Sequence, residues 1–198
     1  MVRLEATTKR QSILAILVLL YLMPCVCHAG PFGLEAGMSR AEVVQRIGKS
    51  AIVKEYDDYN HNYAIFFNTV PMPSAYFDEY QCGFDKNKKL LSINASSKPL
   101  LTQSKGADLR ASFDRLKSAL EGKYGKVLYV TGNRASGTDW LDSVGYQHPF
   151  TEAVWDGSSD YSKSSHIDKI TLEIEVADRD HGFIELSYYF NTGIEGPL

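Results

Sequence analysis

Cysteine is scarce in this chain of 198 residues, which contains only three. Two of them, Cys25 and Cys27, fall in an N-terminal segment that we expect to be removed, so Cys82 stands alone. A single cysteine excludes an intramolecular disulfide in the remaining chain. The histidines give no pair four residues apart on a predicted helix, the spacing that holds zinc. We therefore predict no metal site and no cofactor.

Catalytic motifs are also missing. The sequence has no Gly-x-Ser-x-Gly nucleophile elbow and no Ser-x-x-Lys sequence with its companion motifs. Residues 156–160 place several oxygen ligands close together, as calcium loops do. An EF-hand loop, however, needs glycine at position six and glutamate at position twelve, where this chain has Ile167. The motifs therefore favour a non-enzymatic protein.

Concentrated positive charge is absent as well. The chain carries 21 lysines and arginines against 24 aspartates and glutamates, for a formal net charge of −3. Its longest basic cluster, at residues 86–89, lies between two predicted strands and is typical of a solvated turn. Because phosphate binding needs a concentrated basic face, nucleic acid is excluded as the expected partner.

The first 29 residues have the order of a secretory signal peptide. Basic residues at positions 3, 9 and 10 precede an apolar run at 13–23, and the small residues Cys27 and Ala29 occupy the −3 and −1 positions. We expect cleavage after Ala29, which leaves residues 30–198 as a single domain in the periplasm or outside the cell. A chain of that length can bury a core without disulfides or metals.

The apolar run is too short for a transmembrane helix, which needs about 20 apolar residues. Pro24 also interrupts it, so we predict no membrane span in the mature chain. Cys25 offers an alternative, a lipid-anchored N-terminus, because Leu22 stands three positions before it. Pro24 directly before Cys25 disfavours that alternative, since lipoprotein processing prefers a small residue there.

Two segments carry the signals of amphipathic helices. Ser39 and Glu42 form a capping box before the apolar face of residues 40–47. Residues 109–124 repeat apolar side chains at helical spacing, and Asp108 is the expected N-cap. Both segments must pack on something larger to be stable, because isolated helices of this length are marginal in water.

The remaining elements are strands with alternating apolar residues, and two pairs of them predict hairpins around residues 85–89 and 178–182. Irregular structure is expected at 132–149, and a serine-rich loop at 156–165. Helices and strands do not alternate as βαβ units, so we expect an α+β domain, a mainly antiparallel sheet with two helices packed on one face. No convincing internal repeat is evident, although a helix followed by strands occurs twice. The predicted strands are 63–70, 76–84, 90–95, 126–131, 150–155, 170–176 and 184–190.

The first predicted hairpin places Cys82 in the core. Alternation assigns six side chains to the buried face, namely Tyr80, Cys82, Phe84, Leu91, Ile93 and Ala95. An apolar environment raises the pKa of a thiol and makes it unreactive. Cys82 is therefore predicted to be structural.

Tyrosines interleaved with carboxylates form the main candidate site. They occur at residues 55–63 and again at 76–80. Tyrosine offers a large contact area at little entropic cost and is enriched at protein interfaces. The alternative is ordinary aromatic packing in edge strands and a turn. As residues that bind a protein partner, one of basic character, the sequence predicts Tyr56, Asp57, Asp58, Tyr59 and Tyr63.

Residues 37–48, Gly-Met-Ser-Arg-Ala-Glu-Val-Val-Gln-Arg-Ile-Gly, resemble a short motif of small bacterial envelope proteins. In those proteins the motif opens a helix that packs on an antiparallel sheet. The β-lactamase inhibitory proteins and the small lipoproteins of outer-membrane assembly are similar over roughly residues 32–96. The resemblance implies an envelope location and a helix-on-sheet fold. It carries over no functional residue, and the inhibitors have cysteine pairs where this chain has Cys82 alone.

These observations favour an exported, non-enzymatic protein-binding module of the bacterial envelope, of the inhibitor, immunity or assembly-accessory type. The alternative is a periplasmic hydrolase with a site assembled from the irregular 132–166 region, for example from Asp139, Asp142 and His148. A concave pocket that collects His148 or His166 with carboxylates would favour the hydrolase. A flat aromatic patch would favour the binding module.

Overall fold

A computed structural model describes residues 30–57, 63–101, 106–132, 151–178 and 181–191. The predicted signal peptide and most of the predicted irregular region lie outside these ranges. No helix within them is long and apolar enough to cross a membrane. The α-helices there are α1 (Arg40–Ile47), α2 (Ala107–Tyr124) and α3 (Asp160–Ser164). The strands there are β1 (Ile52–Asp57), β2 (Tyr63–Phe67), β3 (Glu79–Phe84), β4 (Leu90–Ser96), β5 (Leu100–Leu101), β6 (Tyr129–Gly132), β7 (Thr151–Asp156), β8 (Ile167–Val176) and β9 (His181–Phe190).

Helix α1 begins with the predicted capping box. The Ser39 backbone N–H donates to Glu42 Oε2 at 2.6 Å, and the Ser39 side chain accepts from the Glu42 backbone N–H at 3.4 Å. Gly48 ends the helix at a φ of 83°, in the left-handed region that glycine adopts without strain. The apolar face of the helix is buried through Val43, Val44 and Ile47.

Helix α2 begins two residues earlier than predicted. Its N-cap is Gly106 in a left-handed conformation, and Asp108, the expected cap, lies within the first turn. A carboxylate there still interacts favourably with the positive end of the helix dipole. Five side chains at helical spacing are buried, as predicted, namely Leu109, Phe113, Leu116, Leu120 and Tyr124.

The sheet is antiparallel, with an eight-strand path in the order β1-β2-β3-β4-β9-β8-β7-β6 and β5 paired to the start of β9. Each half of this path is a four-stranded meander that follows a helix in the chain, since α1 precedes β1–β4 and α2 precedes β6–β9. The last strand of each half lies at the centre, where β4 pairs with β9. The fold therefore repeats a unit of one helix and four strands, although the sequence shows no convincing repeat.

All three helices cover the same face of the sheet. Residues directly opposite each other on antiparallel strands share a face. One such row crosses β2, β3, β4 and β9 at Ile65, Cys82, Ile93 and Tyr188.

Ring contacts connect α2 and α3 to that face, and a hydrogen bond connects α1 to it. The Tyr188 ring contacts the Tyr124 ring of α2 at a centroid distance of 6.0 Å, and Tyr124 contacts Tyr161 of α3 at 5.2 Å. On α1, Arg40 bonds to Tyr63, which precedes Ile65 by two residues and so shares its face. The predicted α+β fold with helices on one face is confirmed. The opposite face carries no helix among the described residues.

The first hairpin departs from the predicted register at one residue. Gly83 pairs with Ser92 while Phe84 pairs with Leu90, so Leu91 is an extra residue in β4, a β-bulge. Leu91 is turned outward and is 40% exposed, and Leu90 occupies the core instead. The prediction that Leu91 is buried is therefore wrong, because strict alternation does not foresee a bulge. The other five predicted side chains of this face are buried.

A short helix, α3, occupies part of the predicted serine-rich loop. The Ser159 hydroxyl caps it by accepting from the Ser162 backbone N–H at 3.1 Å. Ser162 is fully buried, and Tyr161 packs against the core. Serines that indicate a loop by composition thus serve here as a cap and as a small buried residue.

Candidate functional site

The predicted tyrosine and aspartate site lies at one margin of the sheet. Tyr56 and Asp57 end β1, Tyr63 begins β2, and Asp57 pairs with Tyr63. Asp58 and Tyr59 lie outside the described residues. Since β1 pairs only with β2 among the described strands, this margin is an edge of the sheet.

Tyr63 and Tyr56 occupy different environments, because they point to opposite faces of the sheet. Tyr63 is 8% exposed and belongs to the core, whereas Tyr56 is 48% exposed on the face without helices. The Tyr63 ring packs against Phe84 with centroids 5.6 Å apart. Tyr56 is thus the described tyrosine of the predicted site that offers its ring to a partner.

The Tyr63 hydroxyl belongs to a hydrogen-bonded cluster that the sequence did not predict. Arg40 Nη2 donates to both oxygens of Glu55 at 2.7 Å, and Arg40 Nε donates to the Tyr63 hydroxyl oxygen. The Tyr63 hydroxyl in turn donates to Glu55 Oε2 at 2.5 Å. The hydrogen bonds from Arg40 and then from Tyr63 lower the pKa of Glu55. This Arg40–Glu55–Tyr63 cluster joins α1 to the edge of the sheet.

Tyr56 begins a row of side chains that crosses the face without helices. This tyrosine row is defined by successive cross-strand partners, Tyr56, Ala64, Gly83, Ser92 and Tyr189. Tyr189 at its other end is 40% exposed, and Lys169 Nζ lies 5.6 Å from the centre of its ring. The three residues between the tyrosines are small, so both rings stand above the surface that separates them.

A second row on the same face consists of glutamates. In this glutamate row, Glu152 of β7 pairs with Glu173 of β8, which pairs with Glu185 of β9. Glu185 and Tyr189 are four positions apart on β9, a distance of about 13 Å along the strand. Like charges directly opposite each other destabilise a sheet unless a cation neutralises them. Within the described ranges none of these three glutamates has a lysine or arginine ion-pair partner.

Glu175 continues this acidic surface along β8. Burial, followed by the neighbouring Glu173 carboxylate, raises the pKa of Glu175 to about 7. Burial and the Glu173 charge also raise the pKa of Glu185. The shifts have the sign expected when carboxylates crowd together without a counter-charge.

Between the tyrosine and glutamate rows runs a buried row. Val154, Thr171 and Ser187 are opposite one another and are 3%, 2% and 2% exposed. On β7, β8 and β9 the accessible part of the face therefore consists of the two flanking rows, and the buried row ends on β6 at Tyr129, which is 44% exposed.

The second tyrosine and carboxylate segment, residues 76–80, borders a cleft of about 330 Å³. Phe77 and Tyr80 of this segment are buried, and Tyr76 is 43% exposed at the cleft. Asp78 Oδ2 lies 3.7 Å from Lys98 Nζ, so the charge at the cleft is largely balanced. The remaining lining is mostly apolar and includes Leu100, Leu116 and Ile184.

A larger pocket, which we call the α3 pocket, has a volume of about 630 Å³ and lies beside α3 at one end of the sheet. The Ser158 hydroxyl donates to Asp156 Oδ1 at 2.5 Å rather than to a histidine. The pocket collects His166 with two carboxylates, the feature that favours the hydrolase alternative. Asp139, Asp142 and His148 lie outside the described residues. The polar lining of the α3 pocket consists of Asp156, Ser158, Lys163, His166, Asp168 and Asn191.

Cys82 and the metal-ligating residue types contribute no further site in the described part of the chain. Cys82 is fully buried, and burial raises its pKa far above the usual range of a thiol. In the described ranges no three histidine, cysteine, aspartate or glutamate side chains are arranged to hold a metal ion.

Comparison with known proteins adds no functional information, since no family model, curated protein or solved structure matches this chain. The resemblance of residues 37–48 to envelope proteins remains an expectation from the sequence.

Proposed function

We propose that this protein is an exported, non-enzymatic protein-binding module of the bacterial envelope, of the inhibitor, immunity or assembly-accessory type. Its contact surface is the face of the sheet without helices, and its partner is a protein with a basic patch. Export rests on the signal-peptide pattern of the first 29 residues.

One observation carries this proposal. The described helices all lie on one face, while the other face exposes aromatic rings at Tyr56 and Tyr189 and carries the half-buried carboxylates of the glutamate row. Exposed aromatic rings are enriched at protein-binding surfaces, whose rims are polar and solvent-accessible, so the tyrosines would serve as anchors and the glutamates as rim charges. The two rows lie about 13 Å apart along β9, within the span of one interface of standard size.

The charge of the partner follows from the glutamate row. Glu173 has a carboxylate opposite it on each side, an arrangement that is unfavourable in the isolated protein. A lysine or arginine from a partner would relieve this repulsion, whereas an acidic partner would increase it. Binding should therefore be steered electrostatically and should weaken with salt.

Site-specific photocrosslinking tests the proposal. A photoreactive phenylalanine at position 56 or 189 is expected to capture the same envelope protein, and that protein should carry an excess of lysine and arginine at the crosslinked surface. The matched control is position 72, because Met72 is 58% exposed but lies in the segment between β2 and β3, away from both rows. An identical adduct from position 72 would indicate non-specific capture and would contradict the proposal.

Affinity measurements with the captured protein make the test quantitative. Truncating an aromatic anchor costs about 2 kcal/mol or more, so Tyr56→Ala should weaken binding by roughly 30-fold and Met72→Ala should not. Charge reversal at Glu173 should lower the association rate most at low salt. Unchanged affinity for both variants would show that the partner uses another surface.

The hydrolase alternative is favoured by the α3 pocket, which holds His166 with Asp156 and Asp168. The Ser158 hydroxyl of this pocket bonds to Asp156 rather than to His166, so the serine–histidine pair of a serine hydrolase is not formed there. Hydrolysis of an ester, peptide or glycoside substrate that is lost in His166→Ala and kept in Tyr56→Ala would establish this alternative.

A further inference from the structure

The α3 pocket differs from the other cleft in its chemistry. Ile167 is the one apolar side chain that lines it, and Ile167 is buried, with only 3% of its surface exposed. The cleft beside α2, in contrast, is lined mostly by apolar side chains. An apolar ligand would gain little in the α3 pocket, so its occupant must be held by hydrogen bonds.

Three backbone features shape the pocket. Gly157 lies so close to β8 that a Cβ atom there would be 2.4 Å from the Ile167 carbonyl oxygen. His166 has a φ of 54°, in the left-handed region that residues other than glycine seldom adopt. Asp168 is the extra residue of a bulge between Ile167 and Lys169, and bulges redirect side chains. The segment before β8 therefore presents His166 and Asp168 together at the pocket.

The two carboxylates, the lysine and the histidine of the pocket keep hydrogen-bonding capacity for a ligand. Asp168 and Lys163 form no ion pair in the described ranges, and the His166 imidazole makes no hydrogen bond there. Asp156 accepts two hydrogen bonds from Ser158 through Oδ1 and leaves Oδ2 as an acceptor. Hydrogen bonds from Ser158 also lower the pKa of Asp156, which keeps this acceptor ionised.

We propose that the α3 pocket binds an uncharged, polyhydroxylated ligand, a saccharide. Two carboxylates disfavour an anion such as phosphate. A compact metal cation is disfavoured because no three histidine, cysteine, aspartate or glutamate side chains of the described residues are arranged to hold one. Sugar hydroxyls can donate to Asp156 and Asp168 and accept from Lys163 and His166, so one ligand type satisfies donors and acceptors together. This site is independent of the face without helices, and it requires no catalysis.

Titration of the mature protein with maltotriose and with tri-N-acetylchitotriose, followed by backbone amide NMR, tests the proposal. At least one of the two probes is expected to bind at millimolar concentration or tighter, with saturable shifts centred on the amides of Gly157, Ser158, His166 and Asp168. Inorganic phosphate, spermidine and calcium are titrated in parallel. Saturation of the same amides by one of these ions, without a response to either saccharide, would overturn the proposal, as would no response to any probe.

Two substitutions assign the binding to these side chains. Asp168→Asn should weaken saccharide binding about tenfold, because a hydrogen bond to a charged acceptor is replaced by one to a neutral amide. Asp160→Asn is the matched control, since Asp160 is exposed in the first turn of α3 and does not line the pocket. Equal affinity of the two variants would contradict the assignment.

His166→Gly separates binding from folding. Glycine adopts a φ of 54° without strain, so this variant should keep its melting temperature within a few degrees while it loses the imidazole. Saccharide affinity should fall about tenfold. A folded His166→Gly variant with unchanged affinity would show that the His166 imidazole does not contact the saccharide.

Discussion

Tyr63 donates its hydroxyl hydrogen to Glu55 Oε2 at 2.5 Å across the outermost strand pair of the sheet. Arg40 binds the same carboxylate from helix α1, so one buried ring and one ion pair fasten the helix to β1 and β2. A tyrosine that looks like part of a binding motif in the sequence is therefore part of the structure that supports its neighbour, Tyr56.

Removal of the Tyr63 hydroxyl should destabilise the protein modestly. Tyr63→Phe keeps the ring packing but loses two hydrogen bonds to charged groups, one donated to Glu55 and one accepted from Arg40, so we expect about 1–2 kcal/mol less free energy of unfolding. The Arg40–Glu55 pair is more than one-third exposed, which limits the effect. Urea unfolding measures it. Tyr56→Phe is the control and should change stability by less than about 0.5 kcal/mol. Equal effects of the two substitutions would contradict the different roles assigned to them.

Helix α1 and the hairpins β3–β4 and β8–β9 were predictable because their determinants are local. The capping box of Ser39 and Glu42 lies within four residues, and the alternation of β8 and β9 is continuous. The burial of Tyr63 was not predictable in this way. It depends on Arg40, 23 residues away, and on which face of the sheet receives the helices. Sequence spacing gives the side-chain period, but the tertiary packing decides which face is covered.

Irregular features were missed for a related reason. The bulge at Leu91 changes which residues face the core without changing the composition of β4. Helix α3 is too short for helical periodicity to identify, so its serines indicated a loop. The glutamate row was also missed, because it requires the pairing of β7, β8 and β9 rather than any property of one segment. The repeat of one helix followed by four strands was missed for the same reason, because it is a property of the strand order and not of any one segment.

The free energy of unfolding should decrease as the pH rises from about 4.5 to about 7, because the pKa of Glu175 is raised in the folded protein. The carboxyl group of an unfolded chain ionises near 4.5, whereas folded Glu175 keeps its proton to about pH 7. Between these values the unfolded state binds fewer protons, so the free energy of unfolding decreases and then remains lower above about pH 7. Partial burial and screening limit the effect to on the order of 1 kcal/mol.

The test of this prediction is urea unfolding of Glu175→Gln at pH 5 and pH 8. The substitution should stabilise the protein at pH 8 and have little effect at pH 5, because glutamine stays uncharged between the neighbouring Glu173 and Glu185. Glu79→Gln, at an exposed position of β3, is the control and should change neither value. Because the pKa of Glu185 is raised as well, a smaller pH dependence of the same sign should remain in Glu175→Gln. A pH dependence of undiminished size would assign the effect to another group.

Cys82 should be unreactive in the folded protein. It is fully buried, and burial raises the thiol pKa, so the nucleophilic thiolate is absent at neutral pH. A thiol reagent should label it slowly in buffer and rapidly in denaturant. Cys82→Ala should cost on the order of 1 kcal/mol through a small cavity. Cys82→Ser should cost more, because it buries a hydroxyl between apolar strands. Rapid labelling of the native protein would point to a redox or catalytic role instead.

Export should remove the first 29 residues. The intact mass of protein recovered from the periplasm is expected to correspond to a chain that begins at Gly30. Substitution of Ala29 by a bulky residue such as tyrosine should slow processing, since cleavage requires a small side chain at that position. A mass that retains residues 1–29, or one that includes acyl chains on Cys25, would contradict the prediction.

Two glycine-to-alanine substitutions should change stability in opposite directions. Gly122 lies inside α2 with open space around its Cα, so Gly122→Ala should add about 0.5–1 kcal/mol to the free energy of unfolding through helix propensity and a less flexible unfolded chain. At Gly157 the new Cβ would lie 2.4 Å from the Ile167 carbonyl oxygen and 2.9 Å from that of Asp168. Both are backbone atoms of the segment that carries the α3 pocket, and Gly157→Ala should therefore cost about 1–3 kcal/mol.

Urea unfolding compares the two variants, and amide NMR locates the change. Gly157→Ala should shift the amides of residues 156–158 and 166–168 while those of α2 stay unchanged. Because the clash involves the backbone of β8 rather than a mobile side chain, no single truncation nearby should restore stability. If Gly157→Ala is instead as stable as the parent protein, the turn before α3 can move away from β8, and the close contact that shapes the α3 pocket is not a requirement of the fold.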